Sequence, residues 1–168
     1  MIIPLRGHTS ESTYFLTAST YCKQQLLQSE RSALLLIDVL YHYREESKYL
    51  LHEFVIMPDH FHLLITPGSR VTIERAMQFI KGGYSFRANK ELGLTGEKWQ
   101  TSFHDRRVRD AVESQRYRTY IHENPVQRRL VGVAQHYPYS SANPKYILDA
   151  VPQWLRPMAG EQVSYFRG

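Results

Sequence analysis

A two-residue connection between two β-rich segments constrains the fold of this chain most strongly. The segment at 49–57, YLLHEFVIM, and the segment that begins at His60 are rich in β-branched and aromatic residues, which predicts two strands. Only Pro58 and Asp59 separate them, and both residue types favour turns. Because so short a connection joins antiparallel neighbours, the sequence predicts a β-hairpin over 49–66.

The order of the remaining elements indicates an α+β fold. The pattern predicts a ferredoxin-like split βαβ arrangement, in which one antiparallel sheet carries two long helices on one face. A third helix and the C-terminal tail are expected on the other face. We predict one domain at 1–145 and a tail at 146–168. The further elements are a strand at 13–20, a helix at roughly 29–46 with Ser29 as N-cap, a helix from 72 to about 92, an extended segment at 98–109, and a helix at 111–124 that ends before Pro125.

The composition is typical of a globular cytoplasmic protein. The chain has 168 residues, of which 42% are hydrophobic, so it can bury a sizeable core. No apolar run approaches the roughly 20 residues that span a bilayer, and the N-terminus has no secretory pattern. The single cysteine, Cys22, excludes an internal disulfide framework and a Cys-rich zinc site.

The positive charge is concentrated in the middle of the chain. Residues 81–130 hold eleven Lys or Arg and six Asp or Glu, which accounts for the whole formal net charge of +5. Aromatic residues are interleaved with these basic residues. Basic groups release counterions from phosphates, and aromatic faces stack on unpaired bases, so this composition is typical of a nucleic-acid surface. A basic, solvated face without a partner is the alternative.

His60 and His62 form a candidate metal site. Side chains at i and i+2 of a strand project from the same face, so both imidazoles are expected on one face, with Phe61 and Leu63 on the other. A His-x-His pair on a strand is a compact bidentate metal site. The alternative is two ordinary histidines on a partly exposed face. Asp59 either supports an imidazole or only forms the turn.

A second constellation lies on the predicted third helix. Tyr117, Tyr120, Ile121 and Asn124 recur at the spacing of one helical face. They form either a core stripe with a polar end, or a tyrosine nucleophile one turn from an amide ligand. If this helix lies across the open face of the sheet, Tyr120 and Asn124 can both reach the imidazoles. Tyr117 is the rival nucleophile, although it is seven residues from Asn124 rather than four.

Taken together, these motifs resemble those of the single-tyrosine HUH transposases and nucleases, where HUH denotes His, a bulky hydrophobic residue and His. More narrowly, the chain is similar to the REP-associated tyrosine transposases, relatives of insertion-sequence transposases that accompany repetitive extragenic palindromes. The resemblance runs from about residue 10 to 145. That branch has Asn where classical relatives often carry Gln, and this chain has Asn124. The matching segments, in family order, are VIMPDHFHLLITP, WQTSFHDRRVRD, YRTYIHENPV and YPYSSA.

The resemblance implies roles for four residues. His60, His62 and Asn124 would bind a divalent metal, Mg²⁺ or Mn²⁺, and a histidine pair suits Mn²⁺ better because Mg²⁺ prefers oxygen ligands. Tyr120 would attack a phosphodiester of single-stranded DNA and form a 5′-phosphotyrosine link. An isolated phenol has a pKa of about 10 and is a poor nucleophile at neutral pH, so it needs such assistance.

The same resemblance implies a DNA partner. We expect single-stranded DNA with an imperfect palindromic hairpin, bound in the cytoplasm at the nucleoid by a monomer or a homodimer. The basic side chains either grip this DNA or are solvated surface charges. The candidate nucleic-acid-binding residues are Lys81, Arg87, Lys90, Arg106, Arg107 and Arg109.

Two other function classes compete with a transposase. A domesticated DNA-binding protein would keep the fold and recognise palindromic hairpins without cleaving them, but the set of His60, His62, Tyr120 and Asn124 argues against it. A small metal-storage or structural zinc protein would leave the positive charge unexplained. Two histidines without cysteine also make a poor structural zinc site.

Overall fold

The computed structural model of the protein describes residues 12–159 and confirms the ferredoxin-like α+β fold. Its sheet has the strand order β2-β3-β1-β4, and all neighbouring strands are antiparallel. The strands and helices, in chain order, are β1 (Tyr14–Ser19), α1 (Glu30–Glu45), β2 (Tyr49–Met57), β3 (His60–Pro67), α2 (Ile73–Leu92), β4 (His104–Arg107) and α3 (Ala111–Gln127).

The predicted hairpin is present at its expected position. Met57 of β2 pairs with His60 of β3, so Pro58 and Asp59 form a two-residue loop. This connection brings the first histidine to the beginning of a strand whose residues are all buried. The hairpin therefore fixes the register of His60 relative to both neighbouring strands.

Capping side chains fix the starts of the helices. Ser29 accepts a hydrogen bond from the backbone N–H of Ser32 at 3.2 Å, which confirms it as the N-cap of α1. Asp110 caps α3 in the same way, through the N–H of Glu113 at 2.8 Å. None of the helices in the described part of the chain is long and apolar enough to cross a bilayer.

The predicted end of α3 before Pro125 is wrong. The helix continues through this proline to Gln127. A proline lacks an N–H and so removes one backbone hydrogen bond of the helix. The next donors still close the final turn, since the N–H of Arg128 bonds to Asn124 O at 3.0 Å and that of Leu130 to Pro125 O at 2.9 Å. Asn124 therefore lies inside the helix rather than at its end.

Two hydrophobic clusters cover the two faces of the sheet. The larger cluster lies between the sheet and the helices α1 and α2, and contains Phe61 and Leu63 as predicted. The smaller cluster lies between the sheet and α3, and includes Val55, Leu64 and Ile121. Each histidine of β3 thus alternates with a core residue, so both imidazoles face α3.

A β-bulge in β2 changes which side chains reach α3. The pairing with β3 shifts between Leu51 and Glu53, so His52 is the extra residue. After the bulge, Glu53 and Val55 face α3, whereas Leu51 and Phe54 belong to the larger cluster. The bulge therefore places an acidic side chain beneath the helix.

The chain beyond residue 145 packs against the domain as far as Ala159. The ring of Tyr146 lies 4.9 Å from that of Phe54, centroid to centroid. The N–H of Asp149 donates to Leu51 O at 2.9 Å, next to the bulge. Leu155 is buried in the smaller cluster. This segment thus contacts both sides of the sheet.

Candidate active site

The two histidines lie side by side on the face of β3 that α3 covers. Their ring centroids are 4.9 Å apart. His60 and His62 are only 7% and 4% exposed, respectively. Histidines buried this deeply require partners for their ring nitrogens.

The hydrogen bonds of the imidazoles determine their tautomers. His60 Nδ1 donates to Asp59 Oδ1 at 2.6 Å, because a carboxylate can only accept. His62 Nδ1 donates to Thr17 Oγ1 at 2.7 Å, since its Nε2 faces an amide donor. Each ring therefore keeps a lone pair on Nε2. Asp59, besides forming the turn, orients an imidazole in the manner of a metal-site carboxylate.

The electrostatic environment keeps both rings neutral. Burial is the main cause that lowers the pKa of His62 to about 3, and the neighbouring His60, Arg128 and Lys23 contribute to the same shift. Burial also lowers the pKa of His60, which Asp59 partly opposes and the same two basic side chains reinforce. Neutral imidazole is the form that binds metals, so the pair is ready for this role at neutral pH.

Tyr120 and Asn124 complete the arrangement from α3. Asn124 Nδ2 lies 3.4 Å from His62 Nε2, and Asn124 Oδ1 is buried without a hydrogen-bond partner. The ring of Tyr120 meets the His62 ring edge-on at 5.2 Å between centroids, with half of the residue exposed. The structure thus brings all four predicted site residues together, with the phenol at the solvent-facing side.

Tyr117 has different surroundings. Its ring stacks on Phe15 at 4.5 Å with an interplanar angle of 10°. Phe15 in turn stacks on His62 at 5.3 Å. Tyr117 is therefore part of an aromatic stack that supports the site, one turn of α3 away from Tyr120.

The residues at this site fit a divalent metal. Within residues 12–159, no group of three or more His, Cys, Asp or Glu side chains is placed to hold a metal, and the further polar side chain that contacts the histidine pair from α3 is the amide of Asn124. Its unpaired Oδ1 is a buried acceptor that a cation would satisfy. Two imidazole nitrogens and one amide oxygen suit Mn²⁺ better than Mg²⁺.

Glu53 anchors α3 to the sheet, a contact that sequence reasoning missed. Its buried carboxylate accepts hydrogen bonds from Arg118 Nε at 2.8 Å and His122 Nε2 at 2.7 Å, one helical turn apart. The hydroxyl of Ser141 also donates to it. Burial raises the pKa of Glu53, but these three partners outweigh it and hold the pKa below its ordinary value. Ser141 belongs to the YPYSSA segment, which was the available signal.

The predicted DNA-binding residues of α2 lie on the other side of the sheet from the histidines. Arg87 forms ion pairs with Asp38 of α1 and with a glutamate of its own helix. Lys81 Nζ donates to Gln100 O at 2.6 Å, and burial lowers its pKa. Lys90 is exposed. The structure does not bring these three residues to the histidine site.

The predicted residues around β4 are divided between the two faces. Arg106 pairs with Phe15 across the strands and therefore shares the histidine face, whereas Arg107 projects from the opposite face. Both are exposed. Arg109 forms an ion pair with Glu113 at 3.1 Å. Only Arg106 of this group is placed toward the site.

Comparison with known proteins identifies the family. The family model described as "Transposase IS200 like" matches residues 8–124, a range that contains His60, His62, Tyr120 and Asn124. The chain belongs to the IS200-like transposase family. The family predicted from the motifs is confirmed, and with it a transposase-type enzyme that acts on DNA. No curated protein matches the chain.

Two solved structures share the fold of this IS200-like transposase. One is a REP-associated tyrosine transposase bound to a REP hairpin, with 22% sequence identity and a TM-score of 0.66 over 92% of this chain and 93% of that one. The other is a putative transposase from Deinococcus radiodurans, also 22% identical, with a TM-score of 0.52 over 74% of this chain and 92% of that one. The shared fold covers more than nine tenths of each of these two solved chains.

Proposed function

We propose that this protein is a metal-dependent endonuclease and strand transferase for single-stranded DNA that acts through a 5′-phosphotyrosine intermediate. The observation that carries the proposal is the position of Tyr120 and Asn124, one helical turn apart, over two buried and neutral imidazoles. A core stripe would not leave a half-exposed phenol and an unpaired buried amide oxygen beside a His-x-His pair.

His60, His62 and Asn124 are the residues that would hold the metal, either Mg²⁺ or Mn²⁺. When bound, a divalent ion offsets negative charge on the phosphoryl oxygens and orients the leaving group. The protein supplies two fixed Nε2 lone pairs, because Asp59 and Thr17 occupy the Nδ1 atoms. Hydrogen bonds from the Nδ1 atoms hold metal-binding imidazoles in a fixed orientation.

Tyr120 is the nucleophile in this proposal. Its phenolic oxygen forms a bond to phosphorus while the bond from phosphorus to the 3′-oxygen of the preceding nucleotide breaks. The phenolic proton is released, and the leaving oxygen takes up a proton to become a free 3′-hydroxyl. Because a phosphodiester replaces a phosphodiester, a later hydroxyl can attack the phosphotyrosine and rejoin the strand without ATP.

The structure favours Tyr120 over Tyr117 for this role. The phenol of Tyr120 is half exposed beside His62, so a DNA strand can approach it. Tyr117 stacks flat on Phe15, an arrangement that a phenylalanine would preserve. Tyr120 also lies one turn from Asn124, whereas Tyr117 lies two turns away.

We further propose that the substrate is a single strand with an imperfect palindromic hairpin. The support is the fold shared with a transposase that binds a REP hairpin. In this proposal residues 1–145 carry the activity, and the exposed Arg106 on the histidine face contacts the DNA. The α2 residues Lys81 and Lys90 would contact a hairpin stem only if it extends around the edge of the sheet.

A denaturing gel tests the proposal. The protein, and a Tyr120→Phe variant, would be incubated with labelled single strands that carry a palindrome from beside the gene, with Mn²⁺ or with EDTA. We expect a label that is shifted to protein mass only for the unmodified protein with Mn²⁺. Tight binding without any covalent species would instead support a non-cleaving DNA-binding protein.

A further inference from the structure

We propose that Lys23 and Arg128 form a phosphate-binding pair that holds the backbone of single-stranded DNA beside the histidine pair. This inference rests on the proposed function and extends it, because neither residue belongs to the predicted DNA-binding set. The ligand is a phosphodiester group of an unpaired strand.

Lys23 reaches the site through Ser19. Ser19 is the last residue of β1 and pairs with His60 across the strands, so their side chains share one face of the sheet. Lys23 Nζ donates a hydrogen bond to Ser19 Oγ at 2.8 Å. The ammonium group is thereby held next to the first histidine of the pair.

The backbone that carries Lys23 adopts an unfavourable conformation. Cys22 and Lys23 have φ angles of +50° and +53°, and both belong to the short turn Tyr21–Lys23. Two successive non-glycine residues in the left-handed region are unusual, because their Cβ atoms crowd the backbone. Both residues are exposed, so core packing does not explain the turn. Strain of this kind is common at functional sites. Here the turn directs the side chain of Lys23 back to Ser19.

Arg128 approaches from α3 at the same end of the sheet. Tyr117 stacks on Phe15, and Asn124 contacts His62 further along, so α3 runs toward the hairpin end of β3. The N–H of Arg128 bonds to Asn124 O at 3.0 Å, which continues the helix by one turn. One helical turn advances about 5.4 Å, close to the spacing of two strand residues. Arg128 is therefore displaced from Asn124 in the same direction, and by a similar distance, as His60 is displaced from His62.

Neither cation is compensated by a nearby carboxylate. The hydrogen bond to Ser19 holds Lys23 at the end of β1 that pairs with His60, and Arg128 lies one helical turn beyond Asn124 toward the same end of the sheet. Within residues 12–159, neither Lys23 nor Arg128 has a carboxylate within ion-pair distance. Arg87 and Arg109 of the basic stretch are paired in this way, so their charges are already compensated.

Two uncompensated cations beside neutral imidazoles suit an anionic ligand. A guanidinium binds phosphate oxygens through two parallel hydrogen bonds, and an ammonium group acts as a compact point charge. These groups lie on the histidine face of the sheet, whereas the basic residues of α2 lie across the sheet. We infer that the reacting strand is held here even before a metal binds.

Fluorescence anisotropy with a labelled oligothymidine in EDTA would test this inference, in a Tyr120→Phe background that prevents cleavage. The variants are Lys23→Ala, Arg128→Ala and the double variant, and the control is Arg31→Ala, an exposed arginine on α1. Each site variant should weaken binding and reduce the slope of log K against log salt by about 0.7, the value for one lost phosphate contact on a single strand. The control should change neither quantity.

The possible results separate this inference from the proposed function. Unchanged affinity and salt slope in the double variant would overturn the phosphate pair, even if the unmodified protein forms a covalent adduct. A double variant with weaker affinity and a smaller salt slope, together with no covalent adduct from the unmodified protein, would support the phosphate-binding pair and contradict the nuclease activity. A protein that does not bind the oligothymidine would overturn the pair. Because both side chains are exposed, matching thermal melts should show that the variants fold.

Discussion

The amide nitrogen of Asn124 on α3 lies 3.4 Å from Nε2 of His62 on β3. These residues are 62 positions apart in sequence, so their contact depends on how the helix packs across the sheet. The hairpin fixes the histidine, and the anchor at Glu53 fixes the helix. The site is therefore a product of the fold rather than of one local motif.

The first prediction concerns metal binding. His62→Ala and Asn124→Ala should each abolish or strongly weaken Mn²⁺ binding measured by calorimetry, since each removes one of the three proposed ligands. His42→Ala is the control, because His42 lies on α1 and Glu46 is its only charged partner among residues 12–159. Circular dichroism would verify folding. Unchanged Mn²⁺ affinity in Asn124→Ala would remove this residue from the ligand set.

The second prediction concerns the anchor of α3. Glu53→Ala should lower the free energy of unfolding by about 2–3 kcal/mol, since it leaves His122 and Arg118 without their acceptor. Urea titration would measure this change. Arg109→Ala is the control. Arg109 forms an ion pair with Glu113 in the first turn of α3, but the Arg109 side chain is solvent-exposed, so this pair should contribute little to the free energy of unfolding. Equal effects of the two changes would contradict the anchor.

The third prediction compares two adjacent glycines in α2. A Cβ added at Gly83 would lie 2.8 Å from the ring of Tyr43 on α1, whereas one at Gly82 meets nothing within 4 Å. Gly82→Ala should therefore raise the free energy of unfolding by about 0.5–1 kcal/mol through helix propensity. Gly83→Ala should lower it through the clash. Thermal melts of both variants would measure these changes. A Gly83→Ala variant that is more stable than Gly82→Ala would contradict the predicted clash with Tyr43.

The glycine pair illustrates what the sequence reveals and what it leaves open. A glycine pair inside a helix can mark either a bend or a close approach of another element, and only the packing of Tyr43 shows that Gly83 is a close approach. The hairpin and the shared face of His60 and His62 were predictable, because strand alternation and a two-residue turn are local properties. Ferredoxin-like topology followed from element order.

Other parts of the site depend on contacts that no local pattern encodes. The bulge at His52 turns Glu53 toward α3, and no residue type in YLLHEFVIM marks the extra position. The left-handed turn at Lys23 contains no glycine to signal it. Pro125 indicated the end of a helix, yet the helix continues because the following donors still close its last turn.

The fourth prediction concerns pH and the segment after residue 145. Hydrogen bonds from Arg44 hold the pKa of Asp149 below its ordinary value, and the carboxylate also accepts from the N–H of Leu51 at 2.9 Å. A lowered pKa in the folded state means that the stabilisation is complete above the unfolded pKa and is lost as the pH falls through the folded pKa.

Asp149→Ala should therefore lower the free energy of unfolding by about 1–2 kcal/mol near pH 7. The difference from the unmodified protein should shrink as the pH is lowered below about 4. Urea titrations across this pH range would measure it. A difference that is independent of pH would show that Asp149 stabilises the protein without its charge.

The covalent intermediate provides the most direct test of the tyrosine nuclease mechanism. The protein would be incubated with Mn²⁺ and a single-stranded hairpin, digested with protease and nuclease, and analysed by mass spectrometry. We predict a nucleotide mass on the side chain of Tyr120, retained in Tyr117→Phe and absent from Tyr120→Phe. A nucleotide on Tyr117 would transfer the nucleophilic role to that residue. The absence of any adduct, with the hairpin still bound, would contradict the tyrosine nuclease.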